Sequence, residues 1–495
     1  LTGTAENEKA ARWIAARFRE LGLKPAPGQK DYFQRFEVTV SATLGKGNRL
    51  AEMEGGKPRG LAFGQDFQPL NFSGNGRAAG EIVFAGYGIT APEYGYDDYA
   101  GVDARGKIVL VLRHEPQEFD EKSVFAGRAY TTHAQVQNKA VNAKFHGAAA
   151  VLLVNDLPNH AGDEDRLDRF SSRVGPTSAD IPVVQVRAAV AEKWLERAGI
   201  SLKQWIEETD RTLKPKPAAI PGVRVEAAAD VVRRRSASPN VAAYLPGETD
   251  EYVVLGAHFD HLGLGEQSSM APDQAGKAVH PGADDNASGT AGLLELAAYF
   301  AGRPKQKRGI LFLAFSGEEL GLIGSNFYVN NPLLPLNKAV AMINMDMIGR
   351  IQNGRVYVGG TGTGDSLKRI LEEAKAASRL QFDFSDQGGY GSSDHFSFVN
   401  REVPVLFFFS GLHADYHKPS DTWDKINAAE AAQMLEVVAR VAERLAGGEG
   451  RPQYVKVQMP QQPAMAGSAG SGAWFGSVPD MGESKEGFRI SDVMK

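Results

Sequence analysis

The sequence contains no cysteine. Disulfides, thiolate metal sites and cysteine nucleophiles are excluded together, so any metal must be held by His, Asp or Glu. No apolar run approaches the roughly 18 residues that cross a bilayer, and no transmembrane segment is expected. Excess positive charge is lacking too: 55 Lys and Arg stand against 60 Asp and Glu, a formal net charge of -5. Nucleic acid is therefore not an expected partner. What is present is ordinary for a globular protein, with 42% hydrophobic and 23% charged residues. At roughly 150 residues per domain, the length suggests two to four domains. The sequence opens at Leu1 and goes straight into a polar, helix-like stretch, which reads as the mature form of an exported protein, periplasmic or extracellular.

Residues 5–22 have the spacing of an amphipathic helix, with Ala10, Ile14, Phe18 and Leu21 on one stripe and Gly22 at its end. A strand-like FEVTV follows. From about residue 75 the texture becomes short strands between Gly-rich turns, among them GEIVFAGYGI, GKIVLVL and IPVVQV. The stretch TLKPKPAAIPG marks a boundary near residue 220. From about 238, the apolar strands YVVLGA, GILFLAF, AVAMINM and VPVLFFF alternate with helices, which predicts an α/β domain around a largely parallel sheet. Asn427, with Glu430 three residues later, predicts the start of a last helix. A Gly-, Pro-, Gln- and Ser-rich linker and a short tail follow Ala446.

The residues able to bind metal fall where these strands end. YVVLGA runs into His258, GILFLAF into Ser316-Gly317-Glu318-Glu319 and AVAMINM into Asp346, while His417 follows VPVLFFF. Open α/β sheets bind ligands outside the carboxyl ends of their strands, and scattered polar residues would not keep landing there. Side-chain alternation is expected to put His258 and Asp260 on one face, so that one holds metal and the other orients it. The small-residue turn Gly282–Gly289 carries Asp285 into a helix anchored by Leu293, Leu296 and Phe300. Adjacent Glu318 and Glu319 suit a division of labour, one on metal and its neighbour free to accept a proton from water. Taken singly, each of these residues reads as an ordinary surface or hydrogen-bonded group; the ordered set does not. Asp284 is expected to face solvent or cap the helix. His114, His133, His146, His160 and His280 lie outside any spaced motif, and His261 and His413 lack a matching partner. Trp13, Trp194 and Trp205 are expected to pack.

The motifs AHFDHLG, PGADDNASG, FSGEELGLIGS, NMDMIG and YHKPSDT occur in the order found in metallopeptidase family 28, the di-zinc aminopeptidases, which this chain resembles over its first helix and about residues 238–446. The resemblance implies a zinc-exopeptidase (phosphorylase/hydrolase-like) fold, a three-layer sandwich around a mostly parallel mixed sheet. It implies two zinc ions, one held by His258 and Asp346 and the other by Glu319 and His417, with Asp285 bridging. Glu318 would be the general base, Asp260 a supporting carboxylate and Tyr416 a donor to the tetrahedral intermediate. A cis peptide is implied at Asp285-Asn286. GKIVLVL, GAAAVLLV and IPVVQV resemble a protease-associated (PA) domain, β-rich and inserted. The chain thus divides into 1–74 (N-terminal part of the catalytic domain), 75–220 (PA-like), 221–446 (catalytic), 447–471 (linker) and 472–495, which resembles the opening of a PDZ-like domain.

The activity so implied is removal of N-terminal residues from peptides with a free amino terminus. The alternatives are a di-zinc amidohydrolase or carboxypeptidase, a glutaminyl cyclase-like enzyme with one zinc, and a receptor-like binding protein. The first normally carries its extra domain after the Glu-Glu pair, whereas the insert here precedes His258. Receptor-like relatives lack metal ligands, and this chain has all five and the base.

Overall fold

Two long strands carry the chain out of one compact unit and back again. Phe33–Leu44 leads outward and Val231–Leu245 returns. In the computed structural model, which describes residues 1–160, 162–171, 178–389, 393–448, 450–457, 477–479 and 490–493, the first unit holds Leu1–Val38 with the chain from Arg235. The second runs from Thr39 to Arg234.

The first unit is built on a mixed sheet of nine strands among the described residues. At its centre Gly309–Phe315, Tyr252–His258, Ala339–Met345 and Val405–Phe409 lie side by side, all parallel. Every residue of the first three is buried, as expected for parallel strands covered on both faces. Alternation sorts their side chains into two cores. Val253, Leu255 and Ala257 join a core with the helices Ala5–Glu20, Gly289–Ala301 and Ala428–Gly447. Tyr252 and Val254 join one with Tyr328 and Phe398, from helices Ile323–Asn330 and His395–Val399. The result is the expected three-layer α/β sandwich.

Local signals explain the helix ends. Thr4 accepts the N–H of Asn7 (3.2 Å), with Glu6 and Glu8 in the first turn favoured by the helix dipole. That helix buries Ala11, Ile14, Ala15 and Phe18, while Ala10 and Leu21 lie half-buried at its rim. Full burial of Phe18, packed on Phe312, contributes about 2–3 kcal/mol. Asn427 accepts the N–H of Glu430 (3.2 Å) and donates to its carboxylate (2.7 Å).

The second unit is built on a sheet of eight strands among the described residues, four of them parallel neighbours: Gly76–Phe84, Ile108–Leu112, Ala150–Val154 and Val183–Val186. It begins well before residue 75, because Arg49–Glu54, Lys57–Gly60 and Phe67–Pro69 also pair into its sheet. These strands are short and mix polar with apolar residues, so no sustained apolar alternation announces them. Trp194 and Trp205 pack into its core. In the tail, Ser477–Pro479 pairs antiparallel with Ile490–Val493; Phe475, Gly476, Phe488 and Arg489 lie outside the described residues. No helix among the described residues is long and apolar enough to cross a membrane.

Candidate metal centre

Four central strands deliver their carboxyl ends to one place. His258 is the last residue of its strand, and its Nε2 lies 3.4 Å from Asp285 Oδ1 and 3.3 Å from Asp346 Oδ1. His417 Nε2 lies 3.1 Å from Asp285 Oδ2 and 3.2 Å from Glu319 Oε2. The Asp285 carboxylate therefore stands between two imidazoles, one oxygen toward each. Glu318 Oε2 is 3.9 Å from His258 Nε2, and Tyr416 stacks on His417 with centroids 3.8 Å apart.

Neighbouring groups fix the orientation of each side chain. His417 Nδ1 faces the Ser268 carbonyl at 2.9 Å, which holds a proton on Nδ1 and turns Nε2 toward the carboxylates. His258 Nδ1 meets the Asp260 carbonyl at 3.2 Å, while the Asp260 carboxylate stands 3.8 Å away. The strand ends at His258, so the alternation argument does not extend to residue 260. The Asp260 carboxylate instead accepts the Glu318 N–H (3.2 Å) and the Thr2 hydroxyl (2.7 Å). It positions Glu318 directly.

Several contributors were not legible as such. His261, which seemed to lack a partner, has its Nδ1 2.6 Å from Glu319 Oε1, leaving Oε2 toward His417. Asp284 is fully buried rather than solvent-facing: it accepts the Gly349 N–H (2.7 Å) and lies 3.1 Å from His413 Nε2. Asp421, also buried, accepts the N–H groups of Asp284 (3.0 Å) and Asp285 (3.1 Å). Asn344 donates to Ser393, whose hydroxyl donates to Asp346 Oδ2 (2.7 Å). The Asp285-Asn286 peptide is cis. Asn286 bonds the carbonyl of Met345 (3.0 Å) and the N–H of Met347 (3.2 Å), stitching the turn to the Asp346 strand end. A signal existed for Asp421 in the YHKPSDT motif itself; for His261 it was only proximity to His258.

Electrostatics divide the two glutamates. Burial pushes the Glu318 carboxyl well above the carboxylate range; His258 opposes this, but Glu319, Asp346 and Asp394 add to it. Burial also penalises Glu319, as does Asp285, yet His261 and His417 hold its pKa below the usual value. Burial would lower His417, but Asp285 and Glu319 raise it to about 10. His258 Nε2 and Asp346 Oδ1 are buried and have no hydrogen-bond partner among the described residues. Two orphaned donor atoms 3.3 Å apart fit a cation between them. His and carboxylate ligands without sulfur are a donor set that zinc accepts.

A family model described as peptidase family M28 matches residues 240–442, the span that contains His258, Asp285, Glu318, Glu319, Asp346 and His417. Residues 240–442 form a peptidase family M28 domain. A PA domain model matches residues 78–194, within the second unit. Aminopeptidase YwaD of Bacillus subtilis (strain 168) is 25% identical over 478 residues, covering 93% of this chain and 84% of that protein. A probable leucine aminopeptidase of Arthroderma otae is 29% identical over 230 residues, covering 44% of this chain and 61% of that protein. The M28 unit and its insert share their fold with an aminopeptidase from Aneurinibacillus sp. strain AM-1, at TM-score 0.51 and 22% identity over 93% of this chain and 92% of that one.

Proposed function

We propose that this protein is an aminopeptidase that hydrolyses N-terminal residues from peptides, using two zinc ions at the M28 centre. The observation that carries the reading is the Asp285 carboxylate, with Oδ1 toward His258 and Oδ2 toward His417. His258 and Asp346 would hold one ion, Glu319 and His417 the other, and Asp285 would bridge. Zinc bound there activates water and polarises the scissile carbonyl.

The chain's own groups do the rest. Glu318 is half-buried, bound to no cation in this assignment, and raised in pKa, which suits it to accept the proton of the attacking water. It then returns that proton to the departing amine. The Asp260 carboxylate, by accepting the Glu318 N–H, keeps that base in place. The Tyr416 hydroxyl, kept protonated by burial and by Asp285, Glu319, Glu318 and Asp346, is a donor for the oxyanion. The surplus carboxylate character gives a substrate's free ammonium group a complementary wall.

A panel of aminoacyl chromogenic substrates, assayed with and without chelator, tests this. Chelator-sensitive release of N-terminal residues is expected. Cyclisation of N-terminal glutamine peptides, or release only from carboxyl termini, would replace the reading with one of its alternatives.

A further inference from the structure

His114 and His160 carry no sequence motif, yet in the PA unit they meet. The strand Ile108–Leu112 feeds a loop with His114 and Glu118, and its parallel neighbour Ala150–Val154 feeds one with Asp156 and His160. His114 Nδ1 lies 2.8 Å from Asp156 Oδ1 and 3.7 Å from Glu118 Oε2. His160 Nε2 lies 3.0 Å from Glu118 Oε2, 3.8 Å from Asp156 Oδ1 and 3.1 Å from His114 Nδ1. One atom from each of four side chains faces a common point. Ligands roughly 2.0–2.1 Å from a tetrahedral centre stand roughly 3.3 Å from one another, and the five separations scatter on both sides of that value.

Hydrogen bonding alone accounts poorly for this packing. If each ring nitrogen donated to its carboxylate, two N–H groups would face each other at 3.1 Å. Asp156 is fully buried, and its Oδ2 has no hydrogen-bond partner among the described residues. A divalent cation takes both nitrogen lone pairs, balances the two carboxylates and removes the conflict.

We propose that His114, Glu118, Asp156 and His160 form a zinc site in the PA unit, separate from the M28 centre. Two imidazoles favour zinc over magnesium or calcium, which take oxygen ligands. All four positions are filled by protein, so the ion is structural and clamps the loops that follow two adjacent strands. The Tyr130 hydroxyl donates to Glu118 Oε1 and leaves Oε2 for the metal.

The test compares the full chain with His160→Gln, each loaded with Zn2+ and freed of excess before the metal is counted. The variant is expected to hold one zinc equivalent fewer, to melt at lower temperature and to keep unchanged peptidase turnover. Only the difference is read, so the number of ions at the M28 centre does not enter. Equal zinc content in the two proteins overturns the site. Should the variant fail to fold, crystals of the unaltered chain measured at the zinc edge decide: an anomalous peak among the four side chains supports the site, and its absence there refutes it.

Discussion

The two clusters of histidine and carboxylate differ in whether a carboxylate stands outside the set of facing ligand atoms. In the PA unit, the four side chains point at one another, and Glu118 spends its second oxygen on Tyr130. In the M28 unit, Glu318 is left over: it lies 3.9 Å from His258 and is held through its backbone by Asp260. A closed ring of ligands stabilises loops, whereas a ring with one uncommitted carboxylate can move a proton. Under the proposed function, the surplus group, rather than the number of ligands, would mark the place of chemistry.

The largest expected effect uses that contrast directly. Glu318→Gln should retain its metal and lose turnover by roughly a hundred- to ten-thousand-fold, because an amide cannot accept the water proton. Glu118→Gln should leave turnover unchanged. Steady-state kinetics with metal analysis on both variants checks the pair, and similar losses in the two would erase the distinction.

A second difference concerns acid. His395 in the M28 unit is buried against Phe407, and burial lowers its pKa to about 3. Between about pH 6.5 and 3 the unfolded chain binds this proton and the folded chain does not, so stability falls as pH drops through that window. The slope from this group approaches about 1.4 kcal/mol per pH unit. Melting temperatures against pH should fall less steeply in His395→Phe than in the parent; identical slopes would remove His395 from the account.

Bracing gives a smaller effect. Asp421→Ala strips the acceptor from the N–H groups of Asp284 and Asp285 and should cost about 1–3 kcal/mol of stability. Metal affinity at the M28 centre should weaken about 10- to 100-fold, as for other residues that orient ligands. Tyr130→Phe, the counterpart in the PA unit, should leave M28 metal affinity untouched. Competition with a chromogenic chelator measures both. The smallest change is Asn427→Ala, which removes a side-chain cap that bonds no residue of either cluster and should cost about 1 kcal/mol in denaturant melts, without any change in zinc content.

What could be read in advance follows the same division. The parallel strands of the M28 unit are long and uniformly apolar, so their ends, and the residues standing there, were legible. The strands Arg49–Glu54 and Lys57–Gly60 were not, since they are short and half polar and owe their place to neighbours distant in sequence. Asp284 illustrates the limit within a motif. Adjacent carboxylates in a turn give no hint that one would be buried, because its partners, Gly349 and His413, come from elsewhere in the chain. His114 and His160 failed for a like reason, since two separate loops bring them together.

Asp421 has a bearing on the making of the protein. It grips the turn of Asp285 from just beyond His417, so the earliest and latest parts of the centre depend on each other. A ribosome adds about 5–20 residues each second, and contacts of long sequence separation wait for the later partner. The strand that ends in His258 therefore emerges long before the side chains that complete its surroundings. Until residue 421 has left the exit tunnel, the nascent chain carries all its early ligands without a working centre. The order of synthesis thus places completion of the centre near the end of the M28 unit's emergence.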